Sequence, residues 1–489
     1  MTYTTTSTLQ AQALSKTAYL LGSLGFVLPA ALVTAYTLNL FYRTGATFWD
    51  SGLFAYFACF TDAWPMLWPD FLHRQPDEPR ATFFNVHFMP IFYLTSALHK
   101  FLPIPPATYF SILQGLWPGF LGLAVFILCW RPGAAARSFA AALSTALCGP
   151  VLSAVGFPHI ELAIPALLAL HFGLRSVGHR IAAYVALALC FLIREDAGFQ
   201  VAGPVMLLAL AQAITGQSRF VVRENLVVAF TGLAYSVGVL ALQFSLFPTD
   251  ESQLERIYLG RPAFAHLSWE LVALRVSELL IGRAYAIGPP VVVLGAGLWK
   301  RDLRLVAGAL APIPWILLSL IAVRGQGLES YYSFPLIVTV AWPSIVLGAA
   351  GVSLQLVVSV VSIMLFVICG GTNKDVAPWQ SLKVPDFNAI GRYERVLKDT
   401  VAHRNELGRL MLGGAVVSLI PEAAKLDEWV WQWEMDKLPN PDAVIYMDGA
   451  KLDRDEVEKV ITASALSHHC QLSGTPFILA TRMETGLCR

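Results

Sequence analysis

The run Thr108–Trp130 contains 23 residues and no charged side chain, and the run Ala18–Phe41 contains 24. About 20 apolar residues, at about 1.5 Å of rise each, cross the hydrocarbon core of a bilayer. Further apolar runs cover Ser138–Phe157, Ile160–Leu174, Ile181–Ile193, Gly198–Ile214, Asn225–Phe247, Ala284–Trp299, Leu303–Val323, Tyr331–Ala350 and Val352–Cys369. The pattern predicts an all-α polytopic membrane protein of about 11 transmembrane helices. Composition agrees: 14% of the 489 residues are charged and 56% hydrophobic, against about 25% and 45–50% in soluble domains. A disordered chain is excluded by this apolarity, a nucleic-acid binder by the net charge of +1, and a disulfide scaffold by seven cysteines in so long a chain.

Of the 67 charged residues, 31 lie after Gly370. This shift divides the chain into a transmembrane body, 1–370, and a soluble domain, 371–489. The soluble part reads as α/β, with strands at Ala415–Ile420, Ala443–Met447 and Pro476–Thr481 and helices at Glu422–Glu434 and Asp453–Ser464. Its Trp429, Trp431 and Trp433 fit either docking on the body or a platform for sugar. Lys16 precedes the first apolar run and no small-residue cleavage site follows it, so that run reads as a retained anchor.

Orientation follows from the arginines. If Phe83–Phe101 lies at the interface rather than across the bilayer, one face collects ten cations, from Lys16 through Arg131, Arg175 and Arg219 to Arg304, against only Glu224 and Asp302. The other face takes most acidic residues, Asp50, Glu195, Asp196 and Glu255 among them. This arrangement predicts a plasma-membrane protein with a cytoplasmic N-terminus and an extracytoplasmic C-terminal domain. The long loops 42–107 and 248–283 then lie outside, where chemistry is expected.

Four polar clusters meet that face. Asp50, in Trp49-Asp50-Ser51-Gly52, reads as a helix cap or as a base aimed into an outer cavity. His87 and His159 read as satisfied interface residues or as site residues. The triplet Arg194-Glu195-Asp196 reads as a solvent-facing turn or, because ionisable groups are expensive at membrane depth, as a functional element. Arg283 and Arg324 read as phosphate grips or as lipid anchors. Nucleotide-binding and zinc-protease motifs are absent.

The ordered set Trp49-Asp50-Ser51-Gly52, His87-Phe88-Met89-Pro90, Gln114, Phe157-Pro158-His159 and Arg194-Glu195-Asp196-Ala197-Gly198 resembles the membrane-protein family called domain of unknown function 2079, over roughly 45–340. Two departures stand out: Arg194 occupies a position usually held by lysine, and Ala55–Phe57 lack a frequent second acidic residue. The family's layout is similar to that of the GT-C glycosyltransferases, which take sugars from polyprenyl-phosphate donors. That likeness implies a catalytic carboxylate soon after the first helix, here Asp50. Placement adds Glu195 and Asp196 as catalytic candidates, with His87, His159, Gln114, Arg194 and Arg283 as substrate-binding ones. The His and carboxylate set is also compatible with a divalent metal. The expected partners are the lipid bilayer and a polyprenyl-phosphate-linked sugar. A transporter or lipid-handling protein, or an envelope-assembly scaffold, are the alternatives.

Overall fold

A computed structural model describes residues 16–44, 49–67, 82–102, 104–248, 254–323, 328, 330–370, 384–420, 440–448 and 451–488. Arg324, Trp68, the three alternating tryptophans and the expected helix Glu422–Glu434 lie outside these residues, as do the side chains of Trp49 and Asp50.

The body opens with α1 (Lys16–Asn39), the short α2 (Trp49–Phe60) and α3 (Ile91–His99), and α4 (Pro106–Cys129). Helices α1 and α4 run antiparallel and touch backbone to backbone: a Cβ on Gly115 would sit 2.3 Å from the Ala30 carbonyl oxygen. Small residues permit such approaches, and packing rather than hydrophobicity drives helix association in lipid. Next come α5 (Ala135–Ala146) and α6 (Gly149–Val155), bent 44° from one another, then α7 (Ala163–Ser176) and α8 (Arg180–Phe191). Helices α9 (Ala197–Ile214) and α10 (Arg219–Leu246) form a tight pair. The second half holds α11 (Trp269–Ser277), α12 (Ala284–Lys300), α13 (Leu303–Leu310), α14 (Ile313–Ile321), α15 (Ile337–Leu347) and α16 (Val352–Gly370).

Six stretches among the described residues are long and apolar enough to cross a membrane, or up to eight if each bent pair is one span. The sequence expectation of eleven exceeds this for a physical reason. An apolar run does not fix the helix length: α7 and α8 have 14 and 12 residues, about 21 and 18 Å against a core of about 30 Å. The stretch Tyr332–Cys369 doubles back near Gly348, at φ 55°. The Gln355 amide donates to the Val340 carbonyl at 2.7 Å, a contact that neighbouring antiparallel helices allow and a continuous helix forbids. Phe83–Phe101 holds only a three-residue 3-10 turn and the nine-residue α3.

The α9–α10 crossing is set by Gly198, where a Cβ would fall 2.0 Å from the Gly232 carbonyl oxygen and 2.6 Å from Ser236 Oγ. Gly198→Ala is therefore expected to cost about 1–3 kcal/mol by overpacking. A melting temperature equal to wild type in detergent would show that the crossing tolerates a methyl group.

Charge separates by bundle end. The turns at one end carry Arg175, which lies 3.8 Å from Glu224, and Arg304, which lies 2.7 Å from Asp302. At the other end meet the start of α9, the end of α8, the start of α7 and the loop before α3. The soluble part follows α16. It comprises α17 (Phe387–Ala402), α18 (Arg404–Leu407), α19 (Gly414–Leu419) and α20 (Lys451–Ala463) with four strands, β1 (Leu410–Leu412), β2 (Ala443–Met447), β3 (His468–Gln471) and β4 (Phe477–Thr481). The sheet order is β1-β2-β4-β3, with β1 and β2 parallel and the other pairs antiparallel. The expected strand Ala415–Ile420 is instead α19. Its residues are buried all round, so no alternation separates strand from helix there, and the strand ends two residues earlier at Leu412. Helix α19 packs on α2, and Tyr42 Oη donates to the buried carboxylate of Glu394. Cys470 is disulfide-bonded, while Cys59, Cys129, Cys148 and Cys190 are buried thiols.

Candidate functional site

Three separate segments bring their ionisable groups to one place at the soluble-domain end of the bundle. The connection from α8 to α9 is only the stretch 192–196, so Arg194, Glu195 and Asp196 are held between two helix ends. The loop before α3 is stitched to it, with Ile91 N–H donating to the Leu192 carbonyl at 2.9 Å. The 3-10 turn Ile160–Leu162 that leads into α7 completes the ring and contributes Glu161, which is fully buried.

Arg194 is the hub. Its Nη1 donates to Glu161 Oε1 at 3.1 Å, while its Nε lies 3.4 Å from Glu195 Oε1 and 3.1 Å from Asp196 Oδ1. Each imidazole is clamped to one of these carboxylates. His87 Nδ1 lies 2.9 Å from Glu195 Oε1, and His159 Nδ1 lies 2.6 Å from Glu161 Oε2. Glu195 also accepts from the Phe88 backbone N–H at 2.9 Å. Such charge-assisted bonds hold a buried carboxylate ionised and fixed in orientation.

The two neighbours Glu195 and Asp196 are driven apart. Burial opposes ionisation of Glu195, but His87 and Arg194 outweigh it and hold its pKa below the usual carboxylate range. Burial raises the Asp196 pKa, and the charges of Glu195 and Glu161 add to that; Arg194 only partly offsets them. Glu161, despite burial, is brought down to about 2 by His159, Arg194 and His87. Asp196 Oδ2 accepts from Gln200 Nε2 at 3.4 Å, while its Oδ1 is ion-paired with Arg194 Nε at 3.1 Å. A pair of carboxyls split in this way is a common signature of acid–base assignment.

Helix α2 stands over His159. Ser51 Oγ donates to the Pro158 carbonyl at 3.0 Å, and the Phe54 ring meets the His159 ring edge-on at 4.2 Å between centroids. Asp50 therefore sits in the helical turn that touches the Pro158-His159 segment. It is the second residue of α2 as described, and its side chain, on which the cap reading rests, lies outside the described residues. On the opposite side, the turn Glu255–Leu259 is pinned to the end of α14, with Val323 N–H donating to the Ile257 carbonyl at 2.8 Å. It carries Tyr258 into the electrostatic reach of Tyr332, Arg194 and Asp196, and burial raises its phenol pKa.

Of the residues expected from sequence, the fold gathers His87, His159, Arg194, Glu195 and Asp196 directly, and brings the backbone of Asp50 beside them. Arg283 and Gln114 stand apart. Arg283 is at the start of α12, 3.7 Å from Glu278, and Gln114 is buried in α4 with no hydrogen bond to the cluster. Three carboxylates surround the guanidinium of Arg194, which was expected as a substrate-binding residue. Glu161 escaped selection from sequence although a carboxylate two residues after His159, at the edge of an apolar run, was the available signal. Ser51, Gln200 and Tyr258 carried none. Among the described residues, no three His, Cys, Asp or Glu side chains are grouped as a metal site.

Compared with known proteins, the chain matches no family model and no curated relative. The likeness to the domain of unknown function 2079 thus rests on the ordered motifs alone.

Proposed function

We propose that the chain is an integral membrane glycosyltransferase that takes a sugar from a polyprenyl-phosphate donor at the outer face of the plasma membrane. The observation that carries this reading is the gathering of Asp196, whose pKa is raised, with Glu195, Glu161, Arg194, His87 and His159 at one end of an apolar helical bundle. A lipid-phosphate donor calls for a polar site level with the head groups, which neither a soluble pocket nor a mid-membrane site supplies.

In this mechanism the acceptor hydroxyl oxygen attacks the anomeric carbon as the bond from that carbon to the phosphate oxygen breaks. Asp50 takes the hydroxyl proton, and Asp196 gives its proton to the departing phosphate. Arg194 is a positioning residue that fixes Glu161, Glu195 and Asp196, while His87 and His159 orient the carboxylates they touch. The opposite ends of α7 and α10 are tied together by Arg175 and Asn225 at 2.8 Å, which favours a one-sided site over a path through the protein.

The orientation is supported by the basic turns gathered at the far end and by the bonded Cys470, since structural disulfides persist in oxidising compartments. Alkaline phosphatase fused after Arg489 is expected to be active and a fluorescent protein fused there dark; the reverse result would put the site on the cytoplasmic side. The function itself is tested by following sugar loss from polyprenyl-phosphate sugars in membranes. Asp50→Asn is expected to lower transfer by about 100-fold or more without lowering protein level. Transfer equal to wild type would remove Asp50 from the chemistry.

A further inference from the structure

Helix α11 turns its charge inward and its apolar side chains outward. Its single cation, Arg275, is 5% exposed, and its Nη1 donates to the Ser319 carbonyl at 3.1 Å, near the end of α14. Leu279, one turn on, is buried beside it. Trp269, by contrast, is 83% exposed, and Ile281 in the following turn Glu278–Gly282 is 71% exposed. Trp269, Ala273, Val276 and Leu280 are all exposed and follow the three- and four-residue spacing that makes one line along a helix. Glu270 and Ser277 lie on the flank of that line. A helix on a water-facing surface does the reverse, burying its apolar stripe and exposing its charge.

The direction of the helix identifies the medium that covers the stripe. Helix α12 has 17 residues and ends in Lys300, among the basic turns; it is about 25 Å long, close to the hydrocarbon thickness. The stretch Trp269–Gly282 is bent 79° from it, almost at right angles to the spanning direction. Its height is fixed by α14, whose last residues close a stretch long and apolar enough to cross a membrane. Besides the Arg275 contact, His266 Nε2 lies 2.8 Å from the Ile321 carbonyl, and Val323 N–H donates to the Ile257 carbonyl at 2.8 Å. The segment 255–283 is thus tied to the end of the bundle where the charged cluster lies. A helix at that height and angle, with an outward apolar line led by a tryptophan, has the layout of an interfacial helix.

We propose that Trp269–Gly282 is an in-plane helix sunk into the lipid leaflet on the side of the charged cluster. Its exposed line is covered by phospholipid acyl chains, and Glu270 and Ser277 reach the head groups. Part of the long loop 248–283 is then membrane-bound rather than free in water. Through the same ties, the helix sets the depth of the turn Glu255–Leu259, which carries Tyr258 toward Arg194 and Asp196. None of this depends on what reaction the cluster performs.

Spin labels on Trp269→Cys, Val276→Cys and Leu280→Cys in full-length protein test the proposal. All three side chains are exposed, so the substitutions leave the core intact. The protein is held in phosphatidylcholine liposomes, and wild type labelled in parallel supplies the background from its own cysteines. Accessibility is read with oxygen, which concentrates in lipid, and with a water-soluble nickel chelate. Oxygen is expected to reach all three labels better than nickel, about 5–10 Å below the head groups.

Residues 269 and 280 are about 16 Å apart along the helix. With the 79° bend and a span tilted by about 20°, their depths should differ by less than about 8 Å. A difference near the full 16 Å would mean a helix running along the membrane normal and would overturn the proposal. Nickel reaching the labels better than oxygen would place the stripe in water. Labels shielded from both would show a protein cover such as a second copy of the chain, and either result removes the lipid as occupant.

Discussion

Arg194→Gln is expected to lower the melting temperature of the solubilised protein by on the order of 10 °C. The guanidinium faces Glu161, Glu195 and Asp196 at 3.1, 3.4 and 3.1 Å, and its side chain is 19% exposed. Removing one member of a buried ionic network strands the others, at a cost of about 3–5 kcal/mol. Arg194→Lys should be milder. It keeps the charge but replaces a planar fork with a single point, which cannot serve the Nη1 and Nε contacts at once. Thermal melts of both variants check this order. If Arg194→Gln melts with wild type, the carboxylates are not held by this residue and the site loses its organiser.

The second large effect is on catalysis. Asp196→Asn preserves shape but removes the proton that the mechanism assigns to the departing phosphate, so transfer should fall by about 10²–10⁴. The melting temperature should fall less than in Arg194→Gln, because the isosteric amide leaves Glu161 and Glu195 paired with Arg194. The pH dependence follows with a definite sign. Asp196 acts as an acid only while protonated, so transfer should decline as pH rises through its elevated folded pKa. Its stabilising contribution is likewise present below its unfolded pKa and lost over that same rise. Glu161 works in the opposite sense. With its folded pKa at about 2, below the ordinary 4.5, its contribution is complete above the ordinary value and disappears as pH falls through 2.

What the sequence made legible was the cost of polarity in an apolar chain. Arg194, Glu195, Asp196, His87 and His159 each interrupt an apolar stretch, and that alone selects them. Their partnerships were not legible, because they depend on which helix ends meet. Glu161 bonds Arg194 across 33 positions and Glu195 bonds His87 across 108. Span number was not legible for a related reason: a run such as Ile181–Ile193 is apolar, but its helix α8 has only 12 residues. In the soluble domain, Ala443–Met447 has the same bounds as sequence and structure, since its strand is flanked by clear turn residues. The neighbouring Ala415–Leu419 is apolar without a period, and only the preceding strand Leu410–Leu412 forces it to turn back as a helix. Gln114 entered through a motif, and burial without a protein partner supplies a physical reason for attention to it.

The most direct test is a comparison of polyprenyl-phosphate release by purified wild-type, Asp50→Asn and Asp196→Asn protein in liposomes, supplied with a panel of polyprenyl-phosphate sugars and an acceptor extract. Wild type should turn over at least one donor, while each variant, folded and eluting as wild type, should release product about 100-fold more slowly or worse. Release that is absent with every donor, or equal in all three proteins, would contradict a sugar-transfer centre at this cluster.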